Sequence, residues 1–331
     1  MTGAVDFLHE AAEDAGPTGG GLDLGVRSPF QLFWRRLRTD RVALVAAGFI
    51  VFLVLVAVFA PQVVDLAGAR PPNAPSKRYF TLGKVGVPSP TGPSSKNLFG
   101  VDPLGRDLFS RVVYGLRISL EIALLATGLS VLIGLVVGLF AGYYRGWVDT
   151  ALSRLVDILL AFPVLLLALG IASACSLGNG CVGGLIKPGL SVVVAVIALI
   201  NWTFIARIVR GQVLSVRERE FVEAARSIGA SNLRIMFREI LPNLVAPLIV
   251  YTTLIIPQNI LLEAALSYLG VGVRPPDPSL GKMLADATDV FDTAWWYMAF
   301  PGAALLLMVL AFNLLGDGLQ DALNPRSARP R

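Results

Sequence analysis

Charge is scarce in this 331-residue chain: Asp, Glu, Lys and Arg make up 15% of it, and hydrophobic residues 55%. Water-soluble domains carry about a quarter charged residues, so a cytosolic enzyme is a poor match, and the mean hydropathy of +0.68 points to the bilayer as solvent. Histidine occurs once, as His9, and cysteine twice. Without a membrane histidine or an HExxH pattern the chain offers no intramembrane protease site, and two thiolates alone do not complete a tetrahedral zinc centre. No GxxxxGK[ST] loop is present, so ATP hydrolysis is not expected here. A secretory signal is missing as well: the first 26 residues hold Asp6, Glu10, Glu13, Asp14 and Asp23 but no Lys or Arg. This leader reads as a mobile tail. The net charge of +5 would suit nucleic acid, yet the basic residues sit between apolar segments, where positive charge fixes membrane orientation.

What is abundant is uncharged sequence. Six runs lack charge: 42–60, 122–144, 158–186, 188–206, 240–262 and 293–316. About 20 helical residues cross roughly 30 Å of hydrocarbon, and lipid-facing backbone must satisfy its own hydrogen bonds. Six transmembrane helices follow, giving an all-α polytopic fold. The glycine-rich run 158–186 is too long for one span, so its helix is expected to end near Ala172.

Arg35, Arg36, Arg38 and Arg41 crowd the start of the first helix and place the N-terminus in the cytoplasm. An even number of crossings returns the C-terminus to that side. The expected organisation is a cytoplasmic tail at 1–41, a membrane domain at 42–316 and a cytoplasmic tail at 317–331. An external loop covers about 61–117, and a cytoplasmic segment covers about 208–245. Cys175 and Cys181 flank Ser-Leu-Gly-Asn-Gly on the outer face, either as a small disulfide loop or as two buried thiols; the glycines and the short spacing favour the disulfide.

The 208–245 segment is too elaborate for a turn. Phe221, Val222, Ala224, Ala225 and Ile228 recur as one helical face, with Glu218, Glu220, Glu223 and Arg226 on the polar side. Gly229 interrupts that helix, and Ser231 can cap a second one carrying Leu233, Met236, Phe237, Ile240 and Leu241 up to Pro242. A small-residue patch at Ala224, Ala225 and Gly229 is expected to face outward and admit another protein closely.

Residues 223–243, EAARSIGASNLRIMFREILPN, resemble the EAA signature of ABC-transporter permeases. Glu223, Ala224, Ala225, Gly229, Leu241 and Pro242 match it, while Glu239 stands at the usual Ile position with Ile240 beside it. LFGVDPLGRDLFSRVVYGLRISL at 98–120, AGYYRGWVD and RLVDILLAFP within 141–163, ARIVRGQVLSVREREFVEAARSIGAS at 206–232, EAALSYLGVGVRPPDPSLGKML from 263 and FNLLGDGLQDALNPR at 312–326 are similar to the C-type permease of dipeptide and oligopeptide importers. The resemblance implies a bacterial inner-membrane subunit that pairs with a B-type permease. Two ATPase subunits or domains holding ATP and Mg would power it, an extracytoplasmic solute-binding protein would deliver peptide, and the EAA segment would couple to the ATPase. No cofactor is expected on this chain itself. Nickel complexes, glutathione or another small solute stay open as cargo; a secondary transporter is a further class, poorly matched because no paired broken segments are evident.

The family motif also marks Arg106, Asp107 and Arg111 for an outer gate or binding-protein contact, against a plain surface ion pair. Asn201, Gln258, Asn259 and Asn313 are candidates for lining a pathway or for helix packing, the latter favoured. Glu121, Asp157 and Glu263 are expected at the headgroup boundary. Asp317 and Asp321, followed by Arg326, suit a contact with a partner subunit or local capping.

Overall fold

The computed structural model describes residues 33, 37–75, 90–176 and 180–323. The acidic leader and Arg326 lie outside them. The described residues form helices α1 (Arg41–Val58), α2 (Ala60–Leu66), α3 (Leu108–Tyr144), α4 (Gly146–Ala161), α5 (Val164–Ser176), α6 (Leu190–Val216), α7 (Glu220–Ser227), α8 (Asn232–Tyr268), α9 (Leu280–Thr288) and α10 (Trp295–Leu323). Helices α1, α3, α6, α8 and α10 are long and apolar enough to cross a membrane. The protein is an all-α polytopic membrane protein.

The third crossing is where expectation and structure part. The helix anticipated from 158 to about 172 is instead two helices, α4 and α5, bent by 89°. Phe162 between them is extended (φ −82°, ψ 139°). Pro163 follows it, and the residue before a proline is driven out of the helical region while the proline itself lacks an N–H.

Other helices run past the uncharged sequence that announced them. Helix α3 starts at Leu108 rather than near 122, which shortens the expected external loop 61–117; its first turns carry Arg111, Arg117 and Glu121. Helix α6 continues to Val216, and α8 already begins at Asn232, so the segment between membrane helices is shorter than 208–245. The loop at 268–294 contains α9, which the sequence reading left as loop.

The pairing of α3 with α6 is the tightest in the bundle. Gly134, Gly138 and Gly142 lie on one α3 face, and a Cβ at each would fall within 2.7 Å of Ile205, Val209 and Val213 side-chain atoms respectively. Small residues every fourth position let two backbones approach, which is how membrane helices gain packing energy without a hydrophobic driving force.

Contacts also fix which helix ends lie together. A Cβ at Gly318 near the end of α10 would meet Ala43 at the start of α1, and Tyr143 at the end of α3 bonds Asn232 at the start of α8. Gly316 packs on Leu254, so α10 runs antiparallel to α8 and ends on the side that carries α7. At the opposite end Phe99 stacks on Phe300 with ring centroids 4.0 Å apart. There Cys175 and Cys181 are joined as a disulfide with Cα atoms 4.8 Å apart.

Candidate functional site

The segment between α6 and α8 is a helix pair locked by its own backbone. Gly229 adopts φ +78°, a left-handed conformation glycine enters without a Cβ penalty. The amide of Ala230 donates to the Ala225 carbonyl (3.1 Å) and that of Gly229 to the Arg226 carbonyl (3.0 Å), the paired bonds of a Schellman stop. Ser231 then caps the next helix by accepting from the Arg234 amide. Sequence placed this break and this cap correctly.

Residues Ile235–Ile240 of α8 are π-helical. Leu241 donates to the Met236 carbonyl five residues back, and Pro242, having no N–H, cannot continue the ordinary ladder. The Glu239 carbonyl is taken by the Asn243 side-chain amide at 2.7 Å. The wider turn leaves Glu239 at the rim and carries Ile240 into the core, fully buried. The one-residue displacement of the signature's apolar anchor is thus absorbed by local helix geometry.

Burial divides the two helices differently from the expected single apolar face. Val222, Ala225, Ile235, Met236 and Ile240 pack with Leu139 and Tyr143 of α3 and with Ile205, Val209 and Val213 of α6. Phe221, Ile228, Leu233 and Phe237 point outward, Ile228 at 81% exposure. Of the small-residue patch, Ala224 and Gly229 are exposed, but Ala225 is only 8% exposed and faces this chain's own core. Glu223 is exposed, Leu241 half-buried and Pro242 exposed.

Polar bonds fix the pair to the membrane helices. The Tyr143 hydroxyl donates to Asn232 Oδ1 at 2.8 Å, and Arg217 donates to the Tyr143 carbonyl while lying over the Tyr143 ring. Burial, and next the charge of Arg145, hold the Arg217 guanidinium below its usual pKa. Arg145 and Arg217 both pair with Glu218. The inner face and this latch join the pair to α3 and α6, so a push on Phe221, Ile228 or Phe237 is transmitted to membrane helices.

At the opposite end the three motif residues do not form a surface pair. Asp102, which the sequence reading did not select, is the hub: it accepts from the Leu104 and Arg106 amides (2.9 Å each) and from Arg106 Nε (2.7 Å), with Arg111 Nε 3.7 Å away. Arg111 is buried and also donates to the Pro72 carbonyl and Asn73. Asp107 is the N-cap of α3, accepting from the Ser110 amide at 3.0 Å. Burial pushes its carboxyl pKa up, against the lowering effect of that amide and of Arg70. The signal for Asp102 was its place five residues before Asp107 in VDPLGRD, where a turn needs an acceptor for successive amides.

The four amides separate into two classes. Asn201 donates to Asn259, which donates to Thr127 Oγ1 at 2.7 Å, a buried ladder joining α6, α8 and α3. Gln258 and Asn313 are exposed. Glu263, expected at the headgroup boundary, is instead fully buried and accepts from Ser119 (2.7 Å), Ser267 (2.8 Å) and Ser279 (2.9 Å). Asp157 pairs with Arg207 at 2.7 Å; Glu121 is exposed, as are Asp317 and Asp321. Among the described residues no group of three or more His, Cys, Asp or Glu is arranged to hold a metal ion.

Residues 134–329 match the family described as the binding-protein-dependent transport system inner membrane component, and residues 28–80 match the N-terminal transmembrane domain of oligopeptide transport permease C. The chain belongs to the C-type permeases of peptide and oligopeptide ABC transporters. It is 40% identical over 299 residues to the dipeptide transport system permease protein DppC of Alkalihalophilus pseudofirmus, covering 90% of each chain. It is 42% identical over 301 residues to the glutathione transport system permease protein GsiD of Escherichia coli, covering 91% of this chain and 92% of the relative. The inward-facing MetNI methionine ABC transporter shares the fold, with a TM-score of 0.54 at 21% identity over 65% of this chain and 96% of that one. The C-type permease is a non-catalytic, multi-pass component of an ABC importer; ATP hydrolysis occurs in separate ATPase subunits. That architecture pairs two permeases with ATPase subunits and a solute-binding protein.

Proposed function

We propose that this permease carries a small peptide-class solute, of the size of a dipeptide or glutathione, into the cell on a path shared with a B-type permease. Comparable identity to a dipeptide and to a glutathione permease supports that size class and does not favour long peptides. In this reading the α7 end faces the cytoplasm, with both chain termini; Arg145, Arg154, Arg207, Arg217 and Arg238 enrich that end in positive charge.

The observation that carries the mechanism is the two-sided helix pair. Its inner face belongs to the core of α3 and α6, whereas Phe221, Ile228, Leu233 and Phe237 form an exposed apolar surface rimmed by Glu220, Glu223, Arg226 and Arg234. Large apolar side chains ringed by charge suit a groove on an ATPase. Two Mg-ATP molecules would close the ATPase pair, and the latched helices would convert that closure into a change between two packings of the bundle. The outer Asp102–Arg106–Arg111 cluster would brace the face that receives the binding protein.

The test is uptake of radiolabelled dipeptide and of glutathione into vesicles holding the whole complex, compared with a complex whose ATPase cannot hydrolyse ATP. ATP-dependent accumulation of one or both is expected. Equal accumulation by the two complexes would end the proposal.

A further inference from the structure

Helix α8 buries most of its circumference. Asn259 and Glu263 point into the bundle, Ile256 and Ile260 pack with α1, α3 and α10, and Leu266 packs with α5 and α6. One stripe is left: Tyr251, Leu254, Gln258, Leu261, Ala265 and Tyr268 follow helical spacing, with Gln258, Leu261 and Tyr268 exposed. At its inner end Tyr251 shares a shallow groove with Gln212 and Ile208 of α6.

Depth makes this stripe informative. The uncharged run 240–262 centres on Tyr251, so a rise of 1.5 Å per residue puts Gln258 about 10 Å from the middle of the span, inside the hydrocarbon. The amide has no hydrogen-bond partner among the described residues. A primary amide facing lipid there would forfeit its hydrogen bonds to water, which costs more than one helix face gains by exposing it. The lipid-facing surfaces look different: α1 exposes Val45, Phe52 and Leu55, and α10 exposes Leu306, Leu307 and Leu310.

We infer that the Tyr251–Gln258–Tyr268 stripe of α8 lines the hydrated solute path and that Gln258 hydrogen-bonds the amide groups of the passing solute. The stripe is uncharged. A glutamine side chain presents one acceptor and one donor group, the complement of a peptide bond whatever side chains flank it, and the tyrosine hydroxyls both donate and accept. The tyrosines lie about 10 Å and 15 Å along the helix from Gln258, so successive contacts can hand a solute along rather than hold it. The two buried asparagines cannot do this, because their amides are committed to each other and to Thr127. The inference rests on the proposed importer function.

The experiment uses the complete complex in vesicles. Cys175 and Cys181 are tied to each other, so a cysteine introduced in this chain is read without a native free thiol. Gln258→Cys, Tyr251→Cys and, as a lipid-facing control, Leu307→Cys are treated with a membrane-impermeant methanethiosulfonate, which reacts with thiolate in water. Gln258→Cys is expected to react at least ten-fold faster than Leu307→Cys, with dipeptide or glutathione plus the binding protein slowing the reaction. Gln258→Leu is expected to raise the KM for uptake several-fold, with complex yield and basal ATP hydrolysis unchanged. Labelling at position 258 no faster than at 307, with and without ATP, would overturn the inference, as would normal uptake by Gln258→Leu. Burial of the stripe against the second permease would give that slow labelling. Failure of the parent complex to transport either solute would sink the importer reading instead, and labelling remains readable in that case.

Discussion

Gly138 of α3 and Val209 of α6 approach so closely that a Cβ on the glycine would lie 2.7 Å from the valine Cβ and 2.6 Å from the Ala206 carbonyl oxygen. Backbone sits on one side of that gap, so it cannot open by turning a side chain.

Gly138→Ala is therefore expected to destabilise the permease by about 1–3 kcal/mol, the usual cost of overpacking a tight core. Gly128→Ala, on the same helix with nothing within 4 Å of its Cβ, serves as control and gains about 1 kcal/mol of helix propensity at most. Thermal unfolding of the purified complex in detergent measures both. Equal midpoints would mean that α3 and α6 can part without loss.

The helix pair separates two substitutions that look alike in sequence. Ala225→Trp places a large ring among Val222, Ile235 and Met236 and should misfold the pair, lowering the yield of the permease itself. Ala224→Trp projects from the exposed side, so the permease is expected to insert and fold normally while retaining less ATPase on co-purification. If the two variants lost ATPase and permease in equal proportion, the division into inner and outer faces would be wrong.

These residues also mark how far sequence reasoning reaches. Six crossings were legible because an uncharged run of about 20 residues has few other uses. Their ends were not: α3 continues past Glu121 because Arg111 finds partners in Asp102 and the 72–73 backbone and side chain, and a charge count cannot see a partner. The Gly229 break and Ser231 cap were legible as local chemistry. Which apolar residues face inward was not, since the π turn rotates everything after Ile235 relative to an ordinary helix. The GLVVGLFAG spacing on α3 was available and went unread, and Pro163 announced the broken crossing.

The Asp102 cluster predicts an order of severity. Asp107→Asn keeps a good helix cap and should change stability by no more than about 0.5 kcal/mol, whereas Asp107→Ala loses roughly 1 kcal/mol. Asp102→Ala strands the buried Arg111 charge and should cost about 3–5 kcal/mol. Denaturation of the three variants, alongside uptake normalised to inserted protein, checks the ranking. A worse result for Asp107→Asn than for Asp102→Ala would transfer the central role to Asp107.

Glu263 joins three elements through one carboxyl group: Ser119 lies on α3, Ser267 one turn along α8, and Ser279 immediately before α9. Ser267 in turn accepts from the Val273 amide at 3.2 Å, which ties the loop after α8 into the same network. Glu263→Ala removes the acceptor from three buried hydroxyls at once. Each buried polar group left without a partner costs about 1–3 kcal/mol, so the loss is expected to reach several kcal/mol and to loosen α9 first. Glu263→Gln keeps the shape and one strong acceptor, and the serine hydroxyls can turn to accept from its amide, so most of the stability should survive. Hydrogen exchange over Leu280–Thr288 in the intact complex reads this directly: rapid exchange in Glu263→Ala with near-parental protection in Glu263→Gln is the expected pattern. Parental protection in both would show that packing of Gly281 against Ala264, where a Cβ would meet the carbonyl oxygen at 2.1 Å, holds α9 without the carboxyl.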